Sequence, residues 1–215
     1  MFSVDFEKIK NEKVKAILLD LDNTLYKYEP CHQYALKNCW QYFQKDNPIS
    51  FAQFKKNYKL ARRDVKKYTF GQAASHSRFL YFQRFLEKTH GKTDTILTVE
   101  LEELYWNNFF KKMKLFNGAF VFLKECRKNN IKVCLITDLT AKIQFKKINH
   151  FKISEYLDFI VSSEEAGRDK PHQNIFRLAL QKLKMRPRDV VLIGDDYNKD
   201  LAGGEKMGIK TILLK

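Results

Sequence analysis

Short apolar runs that stop at polar residues constrain this chain more than any other feature. VKAILLD (14–20), IKVCLIT (131–137) and DVVLIGD (189–195) are rich in Val, Ile and Leu, and each ends in a hydroxyl or carboxylate residue. LDFIVSS (157–163) is a weaker run, and KTILLK closes the chain. Runs of this length and composition predict buried strands. Helical patterns separate them: AFVFLKECRKN after Asn117-Gly118, then AKIQFKKINHF, then HQNIFRLALQKLK with Pro171 at the helix start. Strands alternating with helices predict an α/β fold, a parallel sheet covered on both faces. In such sheets ligands collect beyond the carboxyl ends of the strands, where Asp20, Thr137 and Asp195 then sit.

Residues 26–115 break this rhythm. They contain no strand-like run and read as amphipathic helices, punctuated by Asn47-Pro48, Gly71 and Gly91. In SFAQFKKNYKLARRDVKKY, Phe51, Phe54, Tyr58, Ala61, Val65 and Tyr68 recur every three or four residues, and Lys and Arg take the other positions. The pattern predicts a helical domain over 26–115, inserted into an α/β core domain made of 1–25 and 116–215.

The first run carries a puzzle. It passes into Asp20 and Asp22, two residues apart and so on one face of an extended segment. GDDYNKD (194–200) adds Asp195, Asp196 and Asp200. Carboxylates gathered a few ångströms apart repel one another and oppose folding. An oxygen-rich, His-poor cluster suits a hard cation, most naturally Mg²⁺. Single aspartates of this kind also serve as turn residues and helix caps.

Four ordered motifs resemble those of the haloacid dehalogenase-like (HAD) superfamily: DLDNTL with Asp20 and Asp22, LITDLT with Thr137, SSEEAGRDKP with Lys170, and GDDYNKD with Asp195 and Asp200. The resemblance implies a Rossmann-like parallel sheet, with 26–115 at the position of the family's helical cap. It also implies an enzyme, a phosphatase that forms an aspartyl-phosphate on Asp20. Asp22 would be the general acid and then the base. Thr137 and Lys170 would hold the phosphoryl group, with Asp138 beside them, where the family often has asparagine. Asp20, the backbone carbonyl of Asp22, and Asp195 would bind Mg²⁺, with Asp200 supporting its water shell. Asp196 either approaches the metal or caps the following helix. An alkoxide leaving group needs a proton and a halide does not, so Asp22 favours phosphoester chemistry over dehalogenation. The alternatives are a phosphomutase on the same scaffold and a non-catalytic anion- or nucleic-acid-binding protein.

The net charge of +15 bears on partners. The insert holds 17 Lys/Arg against 8 Asp/Glu, densest in KKNYKLARRDVKK (55–67). Such a surface is a solvated helix face, or it draws an anionic substrate, here a small phosphorylated metabolite. Nucleic acid is disfavoured, because the interleaved aromatics fall on the inward helix face by spacing. Tyr26, Tyr28, Arg62, Arg63, His76 and Arg78 are candidates to face the substrate. No apolar run reaches the length of a membrane span, and MFSVDFEKIKNEK lacks an apolar signal core. Cys31, Cys39, Cys126 and Cys134 show no paired spacing and are expected as reduced thiols in a cytoplasmic protein.

Overall fold

In the computed structural model, which describes residues 2–214, the chain forms two compact units. The first takes the residues up to Lys27, Gly71–Ala73, and those from Lys114 onward; the second takes Tyr28–Phe70 and Ala74–Met113.

The first unit is built on five parallel strands: β1 (Ala16–Leu19), β2 (Lys132–Thr137), β3 (Phe159–Ser162), β4 (Val190–Gly194) and β5 (Lys210–Leu213), in the order β3-β2-β1-β4-β5. The second contains four long helices: α2 (Tyr28–Phe43), α3 (Phe51–Tyr68), α4 (Arg78–His90) and α5 (Thr95–Lys112). The sheet's own helices are α1 (Phe6–Asn11), α6 (Ala119–Lys128), α7 (Ala141–Phe151), α8 (Ser163–Ala166), α9 (Gln173–Leu183) and α10 (Ala202–Glu205).

β1 is fully buried along its length, as a central strand covered on both faces must be. Ala16 and Leu18 join Cys134, Ile136, Leu192, Ile175, Phe176 and Ala179 in one core cluster. Ile17 and Leu19 point to the other face and are equally buried. The register pairs Leu19 with Leu135 of β2 and with Ile193 of β4. A slip of one residue would exchange the two faces and carry Asp20 away from β4. The Asp20 N–H continues the ladder by donating to the Ile193 carbonyl at 3.0 Å. Because the sheet grows from β1 toward β2 and β3 on one side and toward β4 and β5 on the other, the strand order reverses there. The carboxyl ends of β1 and β4 flank the switch point, where open α/β sheets take up ligands.

Two glycines permit close approaches at this edge. A Cβ on Gly194, at the end of β4, would lie 2.5 Å from Asp200 Oδ2. A Cβ on Gly203 would lie 2.6 Å from the Pro171 carbonyl oxygen and 2.5 Å from Phe176. The first glycine makes room for an aspartate, and the second for the loop that carries Lys170. Pro171 is not the first helical residue that its sequence position suggests. His172 caps α9, its Nδ1 accepting the Asn174 N–H at 3.3 Å, and the helix begins at Gln173. Pro171 closes the preceding loop, so Lys170 is free of helix geometry and can reach the strand ends.

In the helical unit, Phe54, Tyr58, Ala61 and Val65 form the buried stripe of α3, while Lys55, Lys56, Lys59, Arg62, Arg63 and Lys67 are exposed. The stripe ends at Val65; Tyr68 is 73% exposed, because α3 stops there and Thr69 caps it. Phe43, Phe54 and Phe85 meet with ring centroids 4.8–5.7 Å apart and knit α2, α3 and α4 together.

Replacing Gly194 by Ala forces the Asp200 carboxylate out of its place. The substitution should destabilise the protein by about 1–3 kcal/mol in urea unfolding; an unchanged midpoint would contradict the close approach.

Candidate active site

β1 delivers Asp20 at its carboxyl end, 4% exposed, into a pocket that also receives Asp195 from the end of β4. A single π-helical turn, Tyr197–Leu201, folds Asp200 back toward the strands. One carboxylate oxygen from each of Asp20, Asp195 and Asp200 lies within 4.8 Å of the others. Lys170 reaches in from the loop before α9. Its Nζ donates to Asp20 Oδ1 at 2.5 Å and to Asp200 Oδ1 at 2.7 Å, with the Ile136 carbonyl at 3.4 Å. The Asp200 Oδ2 accepts the Asp196 N–H at 3.1 Å.

Three carboxylates face one ammonium, so full ionisation leaves two negative charges uncompensated. Burial is the largest influence on Asp20 and pushes its carboxyl up to about 8; Lys170 opposes this, and Asp200 adds to it. Asp195 is also raised, by burial and then by Asp200. Burial works against the Lys170 charge, yet Asp20 and Asp200 hold its ammonium well above the usual lysine range. An all-oxygen donor set with excess negative charge fits a hard divalent cation, the kind of ion that supplies the missing charge. Asp20 and Asp195 are the residues that would hold it, with Asp200 beside them in support.

Thr137 is 1% exposed at the end of β2, and the turn after it is tightly fixed. Leu139 sits at φ 105°, its N–H held by Ser163 Oγ at 3.0 Å. That turn presents Asp138, whose Oδ1 accepts the backbone N–H of Lys170 at 2.9 Å. Asp138 thus anchors the lysine loop. The Asp196 carboxylate is not one of the three gathered acids; it caps the following turn, accepting the Lys199 N–H at 3.1 Å.

Asp22 is half-buried and tightly engaged. Lys147 Nζ donates to both of its carboxylate oxygens, at 2.6 and 2.8 Å, and the Tyr26 hydroxyl donates to Oδ1. Tyr26 is fully buried, its ring 5.4 Å from Phe151, because its hydroxyl finds a carboxylate partner inside the fold.

Three contributors are not apparent from spacing. Thr24 Oγ1 lies 2.7 Å from Asp20 Oδ2 and 3.3 Å from Asp195 Oδ1, which links β1 to β4; it stands within the quoted motif DLDNTL. Gln144 and Lys147 of α7 are both fully buried. Gln144 Nε2 donates to Thr137 Oγ1 at 2.6 Å and to the Asp138 carbonyl. A carbonyl only accepts, so this contact fixes the orientation of the amide. The Thr137 oxygen therefore accepts from Gln144, and its own proton points to the Asp138 carbonyl in a long contact of 3.4 Å. One helix thus orients both Thr137 and Asp22. The available signal is weak: Gln144 and Lys147 lie three apart, on the same side of α7 as Ile143 and Ile148.

The haloacid dehalogenase-like hydrolase family model matches residues 14–208. The chain belongs to this family. It is 37% identical over 203 residues to a ribulose-1,5-bisphosphate 5-phosphatase of Halopiger xanaduensis, covering 93% of this chain and 84% of the relative. It is 25% identical to a glyceraldehyde 3-phosphate phosphatase of Methanopyrus kandleri, covering 94% and 84%. Among solved structures, a 2-haloacid dehalogenase from Pseudomonas syringae superposes with a TM-score of 0.75 at 20% identity, over 93% of this chain and 86% of that one. The last likeness shows the shared fold. The chain is thus an enzyme, a HAD-like hydrolase with an α/β fold. No helix among the described residues is long and apolar enough to cross a membrane.

Lys147→Met strips Asp22 of its buried cation and should lower unfolding stability by about 2–4 kcal/mol. Adding Asp22→Asn should recover part of that loss in a double-mutant cycle. Strict additivity of the two substitutions would contradict the coupling.

Proposed function

We propose that this hydrolase is a Mg²⁺-dependent phosphatase that removes the phosphoryl group from a small phosphorylated metabolite, foremost a sugar phosphate, through an aspartyl-phosphate. The single observation that carries the reading is Asp20, held between Lys170 and Thr24 at the switch point of the sheet, with Asp22 two residues on. The sugar-phosphatase relatives support the substrate class.

In this reading an Asp20 carboxylate oxygen attacks phosphorus and the ester P–O bond breaks. Asp22 gives its proton to the departing alkoxide. Asp22 then takes a proton from water, whose oxygen attacks the phosphoryl group and frees Asp20 and inorganic phosphate. The ammonium of Lys170 and the hydroxyl of Thr137 stabilise the charge on the transferring oxygens, and Asp138 keeps the lysine loop in position. Mg²⁺, held by Asp20, Asp195 and the Asp22 carbonyl with Asp200 in support, would neutralise phosphoryl charge when bound. Lys147 and Tyr26 hold Asp22 while it is ionised, and one Asp22 oxygen leaves Lys147 when it carries the proton. The buried thiols of Cys31, Cys39, Cys126 and Cys134, with no disulfide between them among the described residues, support a cytoplasmic location.

The protein should release phosphate from p-nitrophenyl phosphate with Mg²⁺ and lose this activity in EDTA. Asp20→Asn should lower kcat at least about 10³-fold with a native-like circular dichroism spectrum; wild-type turnover in that variant refutes the nucleophile. In water labelled with ¹⁸O the released phosphate should carry the label, whereas a mutase returns the group to substrate.

The raised Asp20 carboxyl also fixes a pH dependence. An unfolded aspartate titrates near ~4, and the folded one at about 8. Between these values the folded, cation-free protein binds a proton that the unfolded chain has lost, so its stability falls as pH rises. A divalent cation competes with that proton and gains affinity over the same interval. Thermal unfolding should show a larger Mg²⁺-induced rise in Tm at pH 8 than at pH 5.5; equal shifts would contradict the assignment.

A further inference from the structure

The outer face of α3 bears a row of cations that the chemistry above does not use. Lys55, Lys59, Arg63 and Lys67 follow one another at four-residue steps, with Lys56 beside them, and all five are exposed. Side chains so spaced share one side of a helix, and from Lys55 to Lys67 the row is about 18 Å long. The opposite side of α3 is the buried one, formed by Phe54, Tyr58, Ala61 and Val65.

No acid answers this row. The one carboxylate of α3, Asp64, turns aside to Lys88 of α4 at 2.6 Å. Among the described residues, none of the five cations forms an ion pair. Lys55 and Lys67 lie instead over the rings of Phe51 and Tyr68, 4.7 and 5.8 Å from their centroids. Other helices balance their cations, as Arg84 with Glu87 and Lys182 with Glu165 show. Like charges four residues apart destabilise a helix, and α3 repeats that arrangement along its length. Anions supplied from outside remove the repulsion.

The shape of the row selects the anion. The charge is confined to a strip one helix wide, which suits a linear polyanion. A helix that lies on a lipid surface inserts its apolar side, and that side of α3 is already in the core. Single-stranded nucleic acid is held by bases stacked on aromatic rings. Here Phe54 and Tyr58 are buried, and the exposed Tyr68 continues their side of the helix by its spacing. The inward rings do not weigh against a duplex, whose bases are already stacked and whose phosphates face outward. A helix with its side chains is about 10–12 Å across and fits the major groove of B-form DNA, about 12 Å wide. The corresponding groove of duplex RNA is too narrow for side chains to enter.

We propose that the basic face of α3 docks on the phosphate backbone of double-stranded DNA, without reading base sequence. The proposal concerns one helix of the helical unit and stands apart from the phosphatase reading.

Fluorescence anisotropy of a labelled DNA duplex of about 20 base pairs, titrated with the full-length protein over a salt series, tests it. Five phosphate contacts predict a slope of about −4 to −5 for the logarithm of affinity against that of salt, with Kd between about 10⁻⁶ and 10⁻⁴ M at physiological salt. Lys55→Glu/Lys59→Glu should weaken binding at least about tenfold and flatten the slope by about two. Lys124→Glu/Lys128→Glu makes the same change of net charge on exposed positions of α6. It should leave affinity within about twofold, because charges farther away than a Debye length are screened. Both variants should keep the wild-type Tm, as surface substitutions do. If the reversed α3 is less stable, Lys55→Gln/Lys59→Gln takes its place, with a severalfold loss expected. Absence of duplex binding at about 50 mM salt overturns the proposal. So do equal losses in the α3 and α6 variants, which mark a response to net charge alone, and tighter binding of a single strand of the same length. Sedimentation with phosphatidylserine vesicles supplies the remaining outcome: capture that depends on Lys55 and Lys59, with no duplex binding, assigns the face to a membrane and refutes DNA.

Discussion

One buried ammonium organises the α/β unit. Lys170 bridges Asp20 and Asp200, and all three side chains are at most 6% exposed. Taken from water, each of these charges costs several kcal/mol, and the arrangement persists only because the geometry is close and the remaining lone pairs are occupied. Thr24 serves Asp20, and the Asp196 N–H serves Asp200. Much of the local backbone is fitted to this cluster. Gly194 leaves space for Asp200, Gly203 admits the Pro171 carbonyl, and Asp138 ties down the loop that bears the lysine. The cluster still carries more negative than positive charge. That surplus is an unfavourable feature of the fold by itself and a favourable one for a cation and an electrophilic phosphorus.

A second layer acts from α7. Gln144 sets the donor direction of Thr137, and Lys147 grips Asp22. Both are polar residues at 0% exposure on a helix that otherwise packs Ile143 and Ile148 inward. Buried polar atoms are expensive unless they are partnered; these side chains spend their donors on two groups of the site, while the Gln144 Oε1 has no partner. Asp20 and Asp22 thereby differ in surroundings although only Leu21 separates them. Asp20 lies deep among acids and one shared lysine. Asp22 lies nearer solvent, with its own lysine and a tyrosine.

The strands and their polar ends were legible because a buried parallel strand needs an unbroken apolar run, and the chain must leave it through residues that tolerate water. Asp20, Thr137 and Asp195 mark such exits, and β1, β2 and β4 end there or one residue before. The mutual placement of the acids came from the order of four motifs, since no local pattern brings Asp20 within reach of Asp200. Lys147 and Gln144 were not legible. On a helix rich in lysine, one buried lysine looks like its exposed neighbours, and only the fold puts a carboxylate opposite it. Tyr26 reads in the sequence as one of several residues that could face the substrate, and only the fold shows it packed against Phe151 with its hydroxyl on Asp22. Pro171 followed the common rule for helix starts, yet the loop before α9 needed its residues to deliver Lys170. Arg78 reads in the sequence like Arg62 and Arg63, and only the folded helices show that it is buried while they are exposed.

The account's central claim is that the buried acids and Lys170 surround a place for one divalent ion. The most direct measurement is anomalous diffraction from crystals soaked in Mn²⁺, which scatters strongly and takes oxygen ligands as Mg²⁺ does. The account predicts one strong peak within about 2.5 Å of carboxylate oxygens of both Asp20 and Asp195. A fully soaked crystal with no peak there, or with the ion bound to acids elsewhere, would contradict it.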